Sequence, residues 1–260
     1  MNDRLVAIVD RLVRSDENLN AVKEHLKTYH ASDAYHLRGE FNPEDDAIHV
    51  VGAVIPPPIR VFTLVGDILH ELRSTLDHLA WQLVRENGGT PGDSTAWPVM
   101  SVAPLPYKRG PSRGQLPLPN VEGGVSDAAR AIMGEAQPYH WDGALEAHPL
   151  YILSWLNIRD KHRHIAIRGV DVSNLVTAVG IRPLEPVAWT ARTVRSNEYG
   201  AEVEFVPDDL EADVTITGTL QVRLHEDSGR FNRPLFETLT QLREAVWTTF
   251  LQVERECFPP

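Results

Sequence analysis

The stretch Ile59 to Asn87, IRVFTLVGDILHELRSTLDHLAWQLVREN, restricts the fold of this chain more than any other, because it reads as one long helix with two chemically different faces. At about 100° per residue, Phe62, Val65, Leu69, Leu72, Leu76, Leu79 and Leu83 fall into one narrow stripe, the spacing of a buried helix–helix seam. The opposite arc holds Asp67, His70, Ser74, Asp77 and Trp81, with Arg73 and His78 on its flanks. So many titratable groups on one face make it the first place to look for chemistry. Pro56, Pro57 and Pro58 cannot continue a strand ladder but suit a helix start, and Asn87-Gly88-Gly89 supplies a left-handed stop.

The rest of the chain is expected to pack around this helix. Residues 3 to about 29 carry a helical period in Leu5, Ile8, Val9, Leu12, Val13, Leu19, Val22 and Leu26, interrupted by the polar SDEN at 15–18, where a break is an open alternative. AIHVVGAVI, ending at Ile55, is β-branched and reads as a strand paired with residues 35–41. Residues 88–125 are rich in proline and glycine and have no usable period, so a long irregular loop is expected, either covering a site or disordered. Ser126 has cap character ahead of DAARAIMGEAQ, and His148-Pro149 opens the apolar helix LYILSWLNIRDKHRH.

After His164 the pattern becomes alternating. Segments 165–172, 175–182, 186–195, 201–206 and 213–225 predict an antiparallel meander with one buried face, on which Val214, Ile216, Leu220, Val222 and Leu224 lie. Pro234 is read as the start of a last helix, with Leu235, Leu239, Leu242, Val246, Phe250 and Val253 at three-four spacing. Helices at 3–29, 59–87, 127–136, 149–162 and 234–256 with a sheet from the second half make an α+β fold. The expectation is a single domain over 1–260, mainly helical over 1–164, with the sheet and closing helix in 165–260.

With 260 residues, 42% of them hydrophobic and 23% charged, the composition is that of an ordinary soluble domain. A net charge of −11 offers no general attraction to nucleic acid or anionic membrane, so an RNA partner requires a local basic patch; Lys108, Arg109 and Arg113 make the 88–125 loop the most basic segment. The single cysteine, Cys257, precludes an intramolecular disulfide or a thiolate metal cluster, which fits a reducing, cytoplasmic setting. No run of about eighteen apolar residues occurs, and MNDRLVAIVDRLVR lacks a signal-peptide core, so neither membrane insertion nor secretion is expected. Phosphate-cradling glycine motifs and the G-x-S-x-G elbow are also missing, and no cofactor is expected.

Two constellations carry candidate chemistry. In the first, Arg73, Asp77 and His78 stand with Asp67 and His70. The plain account is an Arg73–Asp77 pair worth about a few tenths of a kcal/mol. The catalytic account gives Arg73 to an anionic transition state and His78 to proton transfer, the minimum for cleaving RNA with its own 2′-hydroxyl. In the second, Asn157-Ile-Arg159-Asp160-Lys161-His162-Arg163-His164 is either a solvated helix end whose cations offset the dipole or, through Asp160, His162 and His164, the completion of that pocket. With Asp77, His70 or His78 nearby, the same imidazoles and carboxylates are a weak candidate metal site, the metal undetermined. Trp81, Trp97, Trp141, Trp155 and Trp189 are candidates for stacking on bases or sugars, with core packing the commoner role for such residues.

Gly66 to Trp81, with its LRSTLDHLAW core, followed by Gln137-Pro138-Tyr139 and Asp160-Lys161-His162-Arg163, resembles a family of uncharacterised bacterial proteins, many of them actinobacterial, over about residues 50–165. Arg73 to His78 and Arg159 to His164 each also spell R-x4-H, similar to the signature of HEPN-type ribonucleases, with Asp160 the polar residue after the second arginine. That resemblance implies a helical bundle, usually dimeric, cutting RNA without metal, often in bacterial defence or toxin systems. On a regular helix the spacing sets arginine and histidine about 140° apart, so a kink at Arg73–His78 or a helix ending before His164 is needed to bring a pair together. A HEPN-like ribonuclease leads the functional expectations, ahead of a non-catalytic ligand-binding or interaction module and a metal-dependent hydrolase.

Overall fold

The computed structural model describes residues 3–32, 35–42, 47–108, 116–121, 124–162, 167–176, 188–207, 216–225 and 231–258. Five α-helices and seven strands make an α+β fold: α1 (Val6–His30), β1 (Tyr35–Asn42), β2 (Ala47–Val54), α2 (Ile59–Glu86), α3 (Asp127–Glu135), α4 (Pro149–His162), β3 (Ile167–Val176), β4 (Ala188–Ser196), β5 (Ala201–Pro207), β6 (Ile216–His225), β7 (Asn232–Pro234) and α5 (Leu235–Cys257). The chain divides into two units, one of Met1–Leu19, Val65–Ile165 and Leu239–Pro260, the other of Asn20–Leu64 and Ala166–Thr238.

The first unit is helical. Val65, Leu69, Leu72, Leu76, Leu79 and Leu83 of α2 are buried as the periodicity requires, joined by Ile68 and Ala80; Phe62, in the part of α2 that belongs to the second unit, is only half-buried. Leu5, Ile8 and Leu12 of α1, Ile132 and Met133 of α3, Leu150, Leu153 and Leu156 of α4, and Leu239, Leu242, Val246, Phe250 and Val253 of α5 are also buried here. Arg4 pairs with Glu86, whereas Arg11 pairs with Glu71 at 2.8 Å. Advancing along α1 therefore means retreating along α2, and the two helices run antiparallel.

The SDEN segment does not break α1. Buried Ser15 returns its hydroxyl to Leu12 O at 2.8 Å, and Asp16 takes both Nε and Nη2 of Arg243 of α5 at 2.6 Å each, so the polar residues meet partners inside the helix and across it. Gly88 adopts φ +76° at the end of α2, and Gly89 N–H donates to Val84 O at 2.9 Å, the left-handed stop read from Asn87-Gly88-Gly89. Ser126 caps α3 by accepting from Ala129 N–H at 3.2 Å. The described residues between α2 and α3 contain neither helix nor strand.

The second unit holds the sheet, ordered β2-β1-β4-β5-β6-β3, with β7 also pairing β6. All its pairings are antiparallel. It departs from a simple meander in two ways. The hairpin β1–β2 from the first half joins through β4, and β3 crosses to the far side of β6 instead of pairing its successor. The turn expected near 173–174 is absent: β3 runs through to Val176, absorbing the irregularity as register shifts at Arg168/Asp171 and Ser173/Val176. The rest of the expected strand 175–182 lies outside the described residues. In β6, buried Val222 and Leu224 alternate with half-exposed Gln221 and Arg223, as a one-faced strand requires. Pro234 ends β7 and α5 starts at Leu235, one residue later than the proline rule suggested.

Candidate functional site

Opposite its buried stripe α2 shows a broad polar arc, with Asp67, His70, His78 and Trp81 exposed and Arg73, Ser74 and Asp77 half-buried, Arg73 and His78 at its two flanks. Arg73 is tightly engaged. Its Nη2 lies 2.7 Å from Asp77 Oδ1 and its Nε 3.2 Å from Oδ2, a fork-on-fork pair one turn apart. The same Nη2 donates to Trp97 O at 2.8 Å, and Trp97 N–H donates to Asp77 Oδ1 at 3.0 Å. Both polar groups of the Trp97 peptide are thus met by one ion pair, and the Trp97 side chain is 1% exposed. This indole is core, not a base-stacking platform.

Three residues on, the segment is held again. Buried Gln137 accepts from Met100 N–H at 2.9 Å and donates to Pro98 O at 3.0 Å and to Met133 O at 2.7 Å. Trp97 to Met100 is a strip outside helix and strand whose main-chain groups have no ladder partner, so side chains from α2 and from just past the end of α3 supply the bonds. Two of the motifs that stand out in the sequence, R-S-T-L-D and Q-P-Y, therefore converge on one stretch of the long loop.

The third motif meets α2 at a different level. A Cβ added to Gly66 would lie 3.0 Å from Asp160 Oδ2 and 3.2 Å from Oδ1, so the carboxylate of Asp160 near the end of α4 rests over the glycine. Gly66 precedes Arg73 by about 10 Å of helix and His78 by about 18 Å. The two stretches meet where Asp160 lies on Gly66, while the Arg73–Asp77 pair is committed to Trp97. His162 is the last residue of α4, and His164 lies outside the described residues. Arg159 sits over the Trp155 ring at 4.9 Å.

Because α2 is uninterrupted from Ile59 to Glu86, Arg73 and His78 stay on separate sides of it. Partial burial lowers the His78 imidazole below its ordinary value, and the Arg11 guanidinium adds to this against the opposing carboxylates of Asp77 and Glu71. The arginine that acts on His78 thus comes from α1. Sequence reading missed this cluster: Glu71, buried on the flank of the apolar stripe, accepts from Arg11 Nη1 at 2.8 Å and Arg14 Nη1 at 3.2 Å. The available signal was the i,i+3 pair Arg11 and Arg14 on one side of α1, with a lone carboxylate among leucines on α2. His70 Nε2 stands 3.5 Å from Ser74 Oγ, at the weak limit of a hydrogen bond.

Among the described residues no three His, Cys, Asp or Glu side chains are grouped to hold a metal ion, and no helix is long and apolar enough to cross a membrane. Of the loop cations, Lys108 is exposed, and Arg109 and Arg113 lie outside the described residues. Trp81 and Trp141 are exposed, and the Trp189 side chain is likewise outside the described set. Neither a family model, nor a curated protein, nor a solved structure matches this chain.

Proposed function

We propose that this chain is a non-catalytic binding or interaction module, with the polar arc of α2 carrying Asp67, His70, Ser74 and Trp81 as its recognition surface. The supporting observation is the closed tie of Arg73, Asp77 and the Trp97 peptide. A guanidinium spent on a carboxylate and a carbonyl is a staple for the 97–100 strip and leaves little positive charge for an anionic transition state. The test is RNA cleavage by the purified chain beside its His78→Ala variant. The module reading expects the two to be indistinguishable from buffer; cleavage by the parent that His78→Ala abolishes overturns it.

A second reading is a HEPN-like, metal-independent ribonuclease acting as a dimer and built on Arg159, Asp160 and His164. What favours it is the R-x4-H spacing of Arg159 and His164 with Asp160 after the arginine, and Asp160 is exposed near the end of α4. Cleavage that survives His78→Ala but is lost in His164→Ala selects this reading. RNA that is neither cut nor bound rejects it.

A further inference from the structure

We propose that Arg11 and Arg14 of α1, held by the buried Glu71 and placed beside His78 of α2, form a binding site for a small phosphate dianion. Each part follows from placement. Arg11 and Arg14 stand one turn apart and converge on the two oxygens of one carboxylate, Oε2 at 2.8 Å and Oε1 at 3.2 Å. The Glu71 side chain is 10% exposed, that of Arg11 27% and that of Arg14 54%, so the carboxylate lies underneath and the guanidinia face outward. With Asp10, which accepts from Arg14, the two cations face two anions, so what the cluster offers an anion is directed donors held in place and not net charge. Asp10 accepts from Arg14 Nη2 at 3.0 Å on the same helix, which leaves Arg11 as the less committed of the two arginines.

Donors remain available. Arg11 uses only Nη1 among the described residues, which leaves Nη2 and Nε free to form a second, planar fork. His78, two turns beyond Glu71 and on the same side of α2, is exposed and within electrostatic reach of Arg11. A bound dianion would receive the Arg11 fork and the His78 ring N–H, while Glu71, also held by Arg14, fixes Arg11 and spares the ligand the cost of ordering it. None of these groups belongs to the Arg73 tie, and the inference stands whether or not the chain is a binding module.

The test uses the 260-residue chain and inorganic phosphate at neutral pH, followed by the NMR signals of the His78 ring. The expected result is a saturable shift, weakened about tenfold or more in Arg11→Gln, the size expected for losing a charge-assisted fork. Arg14→Gln should weaken it less. Because Arg11→Gln also removes a tie to Glu71, His78→Gln serves as a second variant at an exposed position, with phosphate affinity read by calorimetry and expected to fall. A linear, unsaturable response, or affinity unchanged in both Arg11→Gln and His78→Gln, overturns the proposal. A short single-stranded RNA with hydroxyl ends forms the comparison arm. If it binds through these residues while inorganic phosphate does not, the small-dianion assignment fails in favour of a backbone reader.

Discussion

Replacing Gln137 with leucine removes one side chain of similar volume and three hydrogen bonds at once. The amide accepts from Met100 N–H and donates to Pro98 O and Met133 O, and the residue has no exposed surface. Met100 is half-exposed, so water can replace the lost acceptor there. The two carbonyls behind the side chain have less recourse, and stranding a buried polar group costs about 1–3 kcal/mol. Two such groups give about 2–6 kcal/mol, from which the added apolar surface of leucine recovers about 1–2 kcal/mol. Taking the middle of each range, the expected net loss is about 2.5 kcal/mol by urea titration, together with faster hydrogen exchange at the Met100 and Trp97 amides and a red shift from the exposed Trp97 indole. Gln137→Glu retains the acceptor for Met100 but loses both donors, and it should also destabilise the strip. If Gln137→Leu shifts stability by less than about 0.5 kcal/mol and the Met100 amide stays protected, the staple account of the 97–100 strip is wrong.

Two further perturbations probe other contacts. Gly66→Ala gains up to about 1 kcal/mol of helix propensity but forces the exposed Asp160 carboxylate aside, so alone it should be near neutral; in an Asp160→Ala background it should stabilise by about 1 kcal/mol, and equal effects in both backgrounds would remove the contact from consideration. Burial holds His30 below its ordinary 6.5, opposed only in part by its 2.7 Å hydrogen bond to Asn197 O. The unfolded chain therefore takes up the proton first, and the contribution of His30 is complete above about pH 6.5 and lost as the pH falls through that value towards the lower folded one. His78 and His148, also lowered by burial, act in the same sense. His30→Gln, which keeps a donor for Asn197 O, should flatten the fall in stability between about pH 7.5 and 5.5, and an unchanged slope would show that His30 is not the group responsible.

What the sequence disclosed was local. The proline and glycine boundaries of α2, the Ser126 cap and the leucine stripe all act within a few residues of themselves, and they can be read without knowing the partner. What stayed hidden was long-range pairing. SDEN looks like a helix break until Arg243 is known to face Asp16, and Arg73 looks catalytic until the Trp97 peptide is found against it. Glu71 between leucines and the Arg11, Arg14 pair can each be picked out separately, but that they meet depends on which face of α1 arrives at α2. The strand order was hidden for the same reason, since alternation reports a buried face and says nothing about neighbours.

The strand order has a consequence for synthesis. β1 pairs on one side with β2, which follows it directly, but on the other with β4, through Arg38↔Thr190, Gly39↔Trp189 and Glu40↔Ala188. At ribosomal speeds of about 5–20 residues per second, the roughly 150 residues between Gly39 and Trp189 take roughly 7–30 s to emerge. Throughout that interval the hairpin carries an open hydrogen-bonding edge that a neighbouring nascent chain can occupy before β4 does. The yield of native protein should therefore depend on how fast the middle of the message is translated and on how crowded its polysome is.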